Sequence, residues 1–192
     1  MTKKLIIAAL LLSVTLAVFA GRDIFAWFVY GAQRTSANVT TATIGLRSID
    51  ANHVFGLDDN QKGIPGEVIS LSSENYIQVN AVEPFAFMVT YTCTNGGSVF
   101  EGISLRQGSG SVRLEKVPGD NPLSVSYVGV VNSQSRAAIN LGELQAEFKA
   151  SNEINNESYT IESKFICVQK NKDAIYEHFN INPVGQFSFL AE

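Results

Sequence analysis

Residues 85–91 read FAFMVTY, the strongest strand signal in this chain. Aromatic and β-branched residues dominate this run, as they do in β-strands. A second run of the same kind, YIQV, occupies residues 76–79. Turn signals punctuate the chain around both runs: PG at 65–66, NGG at 95–97, GSG at 108–110 and PGDNP at 118–122. Such closely spaced turns are typical of an all-β sandwich rather than of alternating strands and helices.

Three later segments extend the β pattern. Residues 144–150, LQAEFKA, alternate apolar and polar side chains, which favours a strand over an amphipathic helix. Residues 159–168 predict another strand, and residues 184–190 predict a last one. Because no Pro-rich or Ser-rich linker divides the chain, we expect one β-sandwich domain over residues 47–192.

The N-terminus has the pattern of an export signal. Residues 2–4 read TKK, and residues 5–20 are apolar apart from one Ser and one Thr. This run is shorter than the roughly 20 apolar residues of a membrane-spanning helix. We therefore expect a signal peptide over residues 1–20, cleaved between residues 20 and 27, with an uncleaved anchor as the alternative. The protein is then secreted and meets the membrane only transiently, through its signal peptide.

The charge balance argues against one class of partner. The full chain has a formal net charge of -4, from 14 basic and 18 acidic residues. Removal of Lys3 and Lys4 with the leader leaves 12 basic residues against the same 18 acidic ones, hence -6. Because nucleic-acid binding depends on neutralising phosphates with Lys and Arg, we expect no nucleic-acid partner.

The segment after the leader is unusually apolar for a secreted domain. Residues 24–30 read IFAWFVY and would form a costly exposed patch on a monomer. An extended strand of this kind can complete the open sheet edge of a neighbouring subunit. We expect an extended assembly strand over residues 21–46, with these large side chains as its core: Ile24, Phe25, Trp27, Phe28, Val29 and Tyr30. The alternatives are an ordinary first strand of the same domain, or partial removal with the signal.

Motifs for catalysis and metal binding find little support. The chain has neither an HExxH helix nor a GxSxG elbow, and neither His53 nor His178 has ligands at zinc spacing. We expect both histidines at surface or loop positions. Residues 58–63 begin like a calcium loop, but Lys62 occupies its fifth position and Ile69 its twelfth. We therefore expect no catalytic residue, no metal site and no cofactor.

A disulfide and two glycosylation sites are predicted at four further residues. Cys93 and Cys167 lie in separate strand-like segments of an exported chain, which predicts one disulfide between them, with two buried thiols as the alternative. Asn38 and Asn156 begin the sequons NVT and NES and are candidate glycosylation sites. Chance matches are equally plausible in a chain rich in Thr and Asn.

A family resemblance begins near the end of the leader. Residues 26–28 read AWF, a polar stretch of about ten residues follows, and residues 39–46 read VTTATIGL. This arrangement resembles the TasA and camelysin family of secreted biofilm-matrix fibre proteins, whose relatives include archaeal bundling pili. In the body, PGE at 65–67 and YIQVN at 76–80 are similar to a turn and a strand of that family. The resemblance implies a jelly-roll β-sandwich whose subunits polymerise by donor-strand exchange, after processing by a dedicated signal peptidase.

These observations together predict a secreted, non-enzymatic structural subunit of filaments or pili in the biofilm matrix. Its expected partners are further copies of itself, in a head-to-tail homopolymer, and a signal peptidase during export. Head-to-tail insertion does not close on itself, so it produces a filament. The alternative is a monomeric cell-surface adhesin or carbohydrate-binding module, which a β-sandwich could host equally well.

Overall fold

The structure is a computed structural model, and it describes residues 29–30, 49–58, 62–63, 65–81, 83–97, 99–108, 112–132, 135–150 and 159–191. Strands dominate these residues, and the order of elements is as follows: β1 (Val29–Tyr30), β2 (Ile49–Leu57), β3 (Lys62–Gly63), β4 (Val68–Ser70), β5 (Ser72–Ala81), β6 (Phe85–Thr94), β7 (Phe100–Arg106), β8 (Leu114–Val117), β9 (Ser124–Val131), β10 (Ser135–Asn140), β11 (Glu143–Phe148), β12 (Thr160–Gln169), α1 (Lys172–Phe179) and a 3-10 helix (Gly185–Leu190). All strand pairs are antiparallel. The prediction of an all-β sandwich is confirmed.

One layer of the sandwich is bent. It consists of two three-stranded sheets, ordered β10-β5-β2 and β4-β11-β7. The sheets join because β4 continues into β5 through Leu71, and β10 continues into β11 through Leu141 and Gly142. Across this bend the Leu71 N–H donates to the Leu144 carbonyl over 2.7 Å. Gly142 lies at the bend with a φ of +110°, and a Cβ there would lie 2.4 Å from the Arg106 carbonyl oxygen. We call this layer the bent layer.

The other layer is a four-stranded sheet ordered β12-β6-β9-β8. Its central strand β6 pairs with β12 over its whole length and with β9 over most of it. The segment that we identified first, residues 85–91, therefore lies in the middle of this layer. The predicted strand at 144–150 is observed as β11, and that at 159–168 as β12.

The large hydrophobic core lies between the two layers. Ring contacts join them directly, since the Phe55 ring of β2 lies 5.3 Å from the Tyr91 ring of β6. At the other end, the N–H of Leu105 on β7 donates to the hydroxyl of Tyr127 on β9 over 3.0 Å. Strand β6 sends alternate residues into this core: Phe85, Phe87, Val89, Tyr91 and Cys93.

A second, smaller core lies on the opposite face of the four-stranded layer. Outward-facing apolar residues of β6, β9 and β12 pack there against the C-terminal segment: Ala86, Val128, Val130 and Val168 meet Ile175, Phe179, Ile181 and Leu190. Asn171 caps the start of α1, because its side chain accepts a hydrogen bond of 2.8 Å from the Ala174 N–H. The helix ends at Asn180, which adopts a left-handed conformation with a φ of 55°.

The prediction of a last strand over residues 184–190 is wrong. Residues Gly185–Leu190 form the 3-10 helix, and Leu190 is fully buried against the outer face of β9 and its neighbours. The first residue of this helix explains the difference, since Gly185 has a φ of +60° that breaks an extended backbone. The apolar side chains that suggested a strand are used instead to cover the sheet face.

Only a small part of the predicted N-terminal assembly strand lies within the described residues. Val29 and Tyr30 form β1, which pairs with Gly63 and Lys62 of β3 in a ladder separate from both layers. Ile24, Phe25, Trp27 and Phe28 lie outside the described residues, as do the signal peptide and its cleavage region. The jelly-roll connectivity that the resemblance implies stays a prediction.

The packing around Gly129 generates a stability prediction. Gly129 on β9 lies opposite both Phe87 and Leu114, and a Cβ there would come within 2.6 Å of the Phe87 ring and 2.9 Å of a Leu114 methyl. We expect Gly129→Ala to lower the free energy of unfolding by about 1–3 kcal/mol, because the buried Phe87 ring and Leu114 side chain cannot move aside freely. Urea unfolding measures the change. Gly119→Ala is the matched control, since a Cβ there meets nothing within 4 Å. Equal stability of the two variants would contradict the packing argument.

Candidate functional sites: a buried polar cluster and an open strand edge

The large core contains a polar cluster formed by His53 of β2, Asn75 of β5 and Tyr91 of β6. These residues are 1%, 6% and 0% exposed. Each occupies an inward-facing position of its strand, so side chains from both layers converge on the cluster. Burial of this kind is costly unless the polar atoms are hydrogen-bonded.

Asn75 takes part in all three hydrogen bonds described for the cluster. Its amide nitrogen donates to the Gly142 carbonyl oxygen over 3.0 Å, which identifies the other amide atom as the acceptor oxygen. That oxygen accepts the Tyr91 hydroxyl over 2.6 Å and lies 2.9 Å from His53 Nε2. Because the oxygen can only accept, His53 must carry its hydrogen on Nε2. Asn75 thus connects both layers with the bend at Gly142.

Two buried polar atoms have no hydrogen-bond partner in the described part of the chain: His53 Nδ1 and Ser163 Oγ. Ser163 lies on β12, opposite Tyr91 in the strand register, and is 3% exposed. Burial lowers the pKa of His53 below its ordinary 6.5, although the hydrogen bond with Asn75 partly opposes this effect. Burial also raises the pKa of Tyr91 strongly, so its hydroxyl stays protonated. The cluster is therefore neutral at physiological pH.

His53 and Ser163 are residue types of a nucleophilic site, but they lack the geometry of one. Ser163 Oγ makes no hydrogen bond with His53, and both side chains are closed off from solvent. A catalytic serine needs a base within hydrogen-bond reach and a path for its substrate. The observed arrangement instead ties strands together, so we interpret it as structural.

Our prediction that both histidines occupy surface or loop positions is wrong for His53. Its strand alternates inward residues at Ala51, His53, Phe55 and Leu57, all of which are buried. Period-2 patterning over residues 51–57 was the signal that could have placed His53 inside. His178 lies in the last turn of α1 and is partly exposed.

The predicted disulfide between Cys93 and Cys167 is not formed. Both residues are buried thiols on neighbouring strands, but Cys93 lies opposite Ile161 and Cys167 lies opposite Phe87. Cys167 is thus six residues beyond the partner of Cys93, or about 20 Å along the strand. A disulfide requires Cα atoms within about 7 Å, so this register excludes the pairing.

An open strand edge borders a groove on the bent layer. Strand β7 pairs with β11, and this pairing ends at Arg106 and Glu143. Strand β10 precedes β11 in the same line, and no strand among the described residues pairs with its outer edge. A groove of about 850 Å³ lies where β7 ends, and it is bordered by the end of β7, by β5 and by β10. Its lining combines the polar side chains of Glu74, Arg106, Asn140 and Glu143 with Tyr76 and Ala138.

The backbone of β10 offers hydrogen-bonding groups to this edge. Leu141 directs its N–H to the Asn75 carbonyl of β5 over 3.0 Å. Because successive strand residues direct their backbone groups to opposite neighbours, the N–H groups of Ala138 and Asn140 point away from β5, to the open edge. Exposed edges of this type are templates for pairing with another strand.

The remaining predicted site residues are not tested by this geometry. The candidate glycosylation sites Asn38 and Asn156 lie outside the described residues.

Within the described ranges, no three His, Cys, Asp or Glu side chains are grouped to hold a metal ion. None of the helices described is long and apolar enough to cross a membrane.

Comparison of the chain with protein-family models, with curated proteins and with solved structures finds no match. The geometry itself defines the class of protein: an antiparallel β-sandwich with one bent layer, a C-terminal helical cover and a buried polar cluster. The family resemblance at residues 26–46 stays a hypothesis about function.

The cysteine geometry predicts the outcome of alkylation. Burial raises the pKa of both thiols to about 11, so in the folded protein they react slowly at neutral pH. After denaturation without reductant, we expect mass spectrometry to show two alkyl groups on each chain. An unmodified chain that gains two groups only after reduction would reinstate the disulfide.

The hydrogen bonds of Asn75 predict a large cost for its removal. Asn75→Ala leaves the Gly142 carbonyl, the Tyr91 hydroxyl and His53 Nε2 without their buried partner. We expect a loss of about 2–4 kcal/mol in the free energy of unfolding, measured by urea denaturation. The control is Asn132→Ala, which removes an exposed bond with Lys170 and should cost less than about 0.5 kcal/mol. Similar losses in both variants would show that the cluster is not a structural junction.

Proposed function

We propose that this protein is a secreted structural subunit that polymerises by donor-strand exchange into extracellular filaments of a biofilm matrix. The observation that carries the proposal is the open outer edge of β10, six residues long, beside the groove at the end of β7. A strand from a second subunit would continue the line of β7 along this edge. It would satisfy backbone groups that the described residues of the chain leave unpaired.

The apolar N-terminal segment supplies a suitable donor. Residues 24–30 provide seven residues against the six of β10, and their composition favours an extended conformation. Each large side chain that became fully buried on assembly would contribute about 1.5–3 kcal/mol. The resemblance of residues 26–46 to biofilm-matrix fibre proteins supports the same function.

The contact between β1 and β3 is the competing arrangement within one chain. Within the described residues it comprises two residue pairs, Val29 with Gly63 and Tyr30 with Lys62. A two-residue ladder is weak, because isolated short pairings are marginal in water. Exchange of this contact for a six-residue ladder on β10 of another subunit therefore favours assembly.

A glycan-binding function has less support. Such a function would be favoured by a platform of exposed aromatic side chains on the sandwich. Among the described residues the large aromatic side chain with high exposure is Tyr176 of α1, which is 61% exposed and stands apart from the groove. Tyr76 of β5 is the aromatic residue among those that line the groove, and a single ring is not a platform.

Electron microscopy of the purified mature protein tests the proposal. We expect filaments from the wild-type protein and folded monomers after deletion of residues 21–30. Filaments formed by the deletion variant would exclude donation, and unfolding of that variant would indicate an intrachain first strand.

A pair of variants at Ala138 tests the acceptor edge separately. Ala138→Pro removes an N–H that points to the open edge, whereas Ala138→Val retains it; both leave the ladder with β5 in place. We expect the first variant to fold but lose filaments and the second to keep them. Normal filaments from the proline variant would exclude the outer edge of β10 as the acceptor site.

A further inference from the structure

His53 is held in a pocket of rings and hydrogen bonds that suits only the neutral imidazole. The rings of Phe55 and Phe165 stack on it, and the Tyr91 ring meets it edge-on, each with a centroid distance of 5.9 Å. Its Nε2–H donates to Asn75, so further protonation must occur at Nδ1. That atom is buried and has no acceptor among the described residues.

Among the described residues, the elements packed around His53 bury no carboxylate beside it. Strand β5 presents Asn75 to the ring, strand β12 presents Phe165, and strand β6 presents Tyr91. Tyr91 is the titratable group in contact with the ring, and Tyr127 of β9 is the next one beyond it. The buried polar side chains of the described chain are His53, Ser72, Asn75 and Ser163, so they include no carboxylate. An imidazolium ion here would have a desolvated charge without a counter-ion.

We propose that His53 is a proton-operated lock that holds β2 on the bent layer at neutral pH and releases it in mild acid. Strand β2 is suited to such release because, among the described strands, it lies at a sheet edge and pairs with β5 alone. Its separation would leave the β10-β5 ladder and the four-stranded layer paired.

The direction of the pH effect follows from linkage. Burial holds the pKa of folded His53 below the 6.5 of the unfolded chain. At a pH between these two values the unfolded state binds more protons, so stability falls as the pH falls. The contribution of His53 is therefore complete above about pH 6.5 and is lost in acid, by up to about tenfold in the folding equilibrium constant per pH unit.

Urea unfolding between about pH 7.5 and pH 5 tests the lock in three proteins: the wild type, His53→Gln and His178→Gln. Glutamine at position 53 can donate to Asn75 but does not titrate. We expect the wild type and His178→Gln to lose folding stability by up to about tenfold per pH unit below pH 6.5, and His53→Gln to lose markedly less. His178 is the matched control because it lies in α1, away from the cluster. Equal pH slopes in all three proteins would overturn the proposal.

A second measurement on the wild type keeps the test decisive if His53→Gln fails to fold. Hydrogen exchange should show that the amides of β2 lose protection on acidification before those of β6 do. Uniform loss across both strands would overturn the local lock. Because these readouts use folding of the subunit and not filaments, they are independent of the proposed assembly.

Discussion

Strand β6 contributes to both hydrophobic cores, and the rest of the sandwich depends on this double burial. Its odd-numbered residues fill the space between the two layers, whereas Ala86 and Met88 on the other face contact the C-terminal cover. A strand buried on both faces must satisfy its whole backbone through neighbours, which β12 and β9 supply. The C-terminal helices are therefore part of the fold, because without them an apolar sheet face would be exposed to water.

Asn75 is the polar counterpart of this apolar centre. One side chain bonds to β2 through His53, to β6 through Tyr91 and to the bend through Gly142. A satisfied buried network of this kind rigidifies the strands that it joins and makes alternative registers costly. The unpartnered Nδ1 of His53 is the weak point of the network, and its chemistry suggests how the domain responds to acid.

The two proposals concern opposite edges of the bent layer. Strand β10 presents an open edge beside a groove, where an added strand would extend the sheet. Strand β2 closes the other edge of the same three-stranded sheet and is held there by the buried histidine. Assembly and acid response would thus act on one structural unit, with β5 between them.

Local sequence patterns were sufficient for the strands at residues 76–79, 85–91, 144–150 and 159–168, because period-2 alternation and turn residues act over a few neighbours. The same patterns could not identify the 3-10 helix at residues 185–190. Those apolar side chains suit a strand equally well, and the choice depends on a sheet face that distant residues create. The polar lining of the groove likewise combines residues of β5, β7 and β10, which only the fold brings together.

The sequence by itself determined the all-β class, the turn positions and the apolar character of residues 24–30. Only the tertiary structure decided that His53 is buried, that Cys93 and Cys167 lie six residues out of register, and that no described strand pairs with the outer edge of β10. The physical reason is that these features depend on register and layer order between strands that are far apart in the chain. A single sequence contains no direct signal for such long-range pairings, since many registers would satisfy the same alternation of apolar and polar residues.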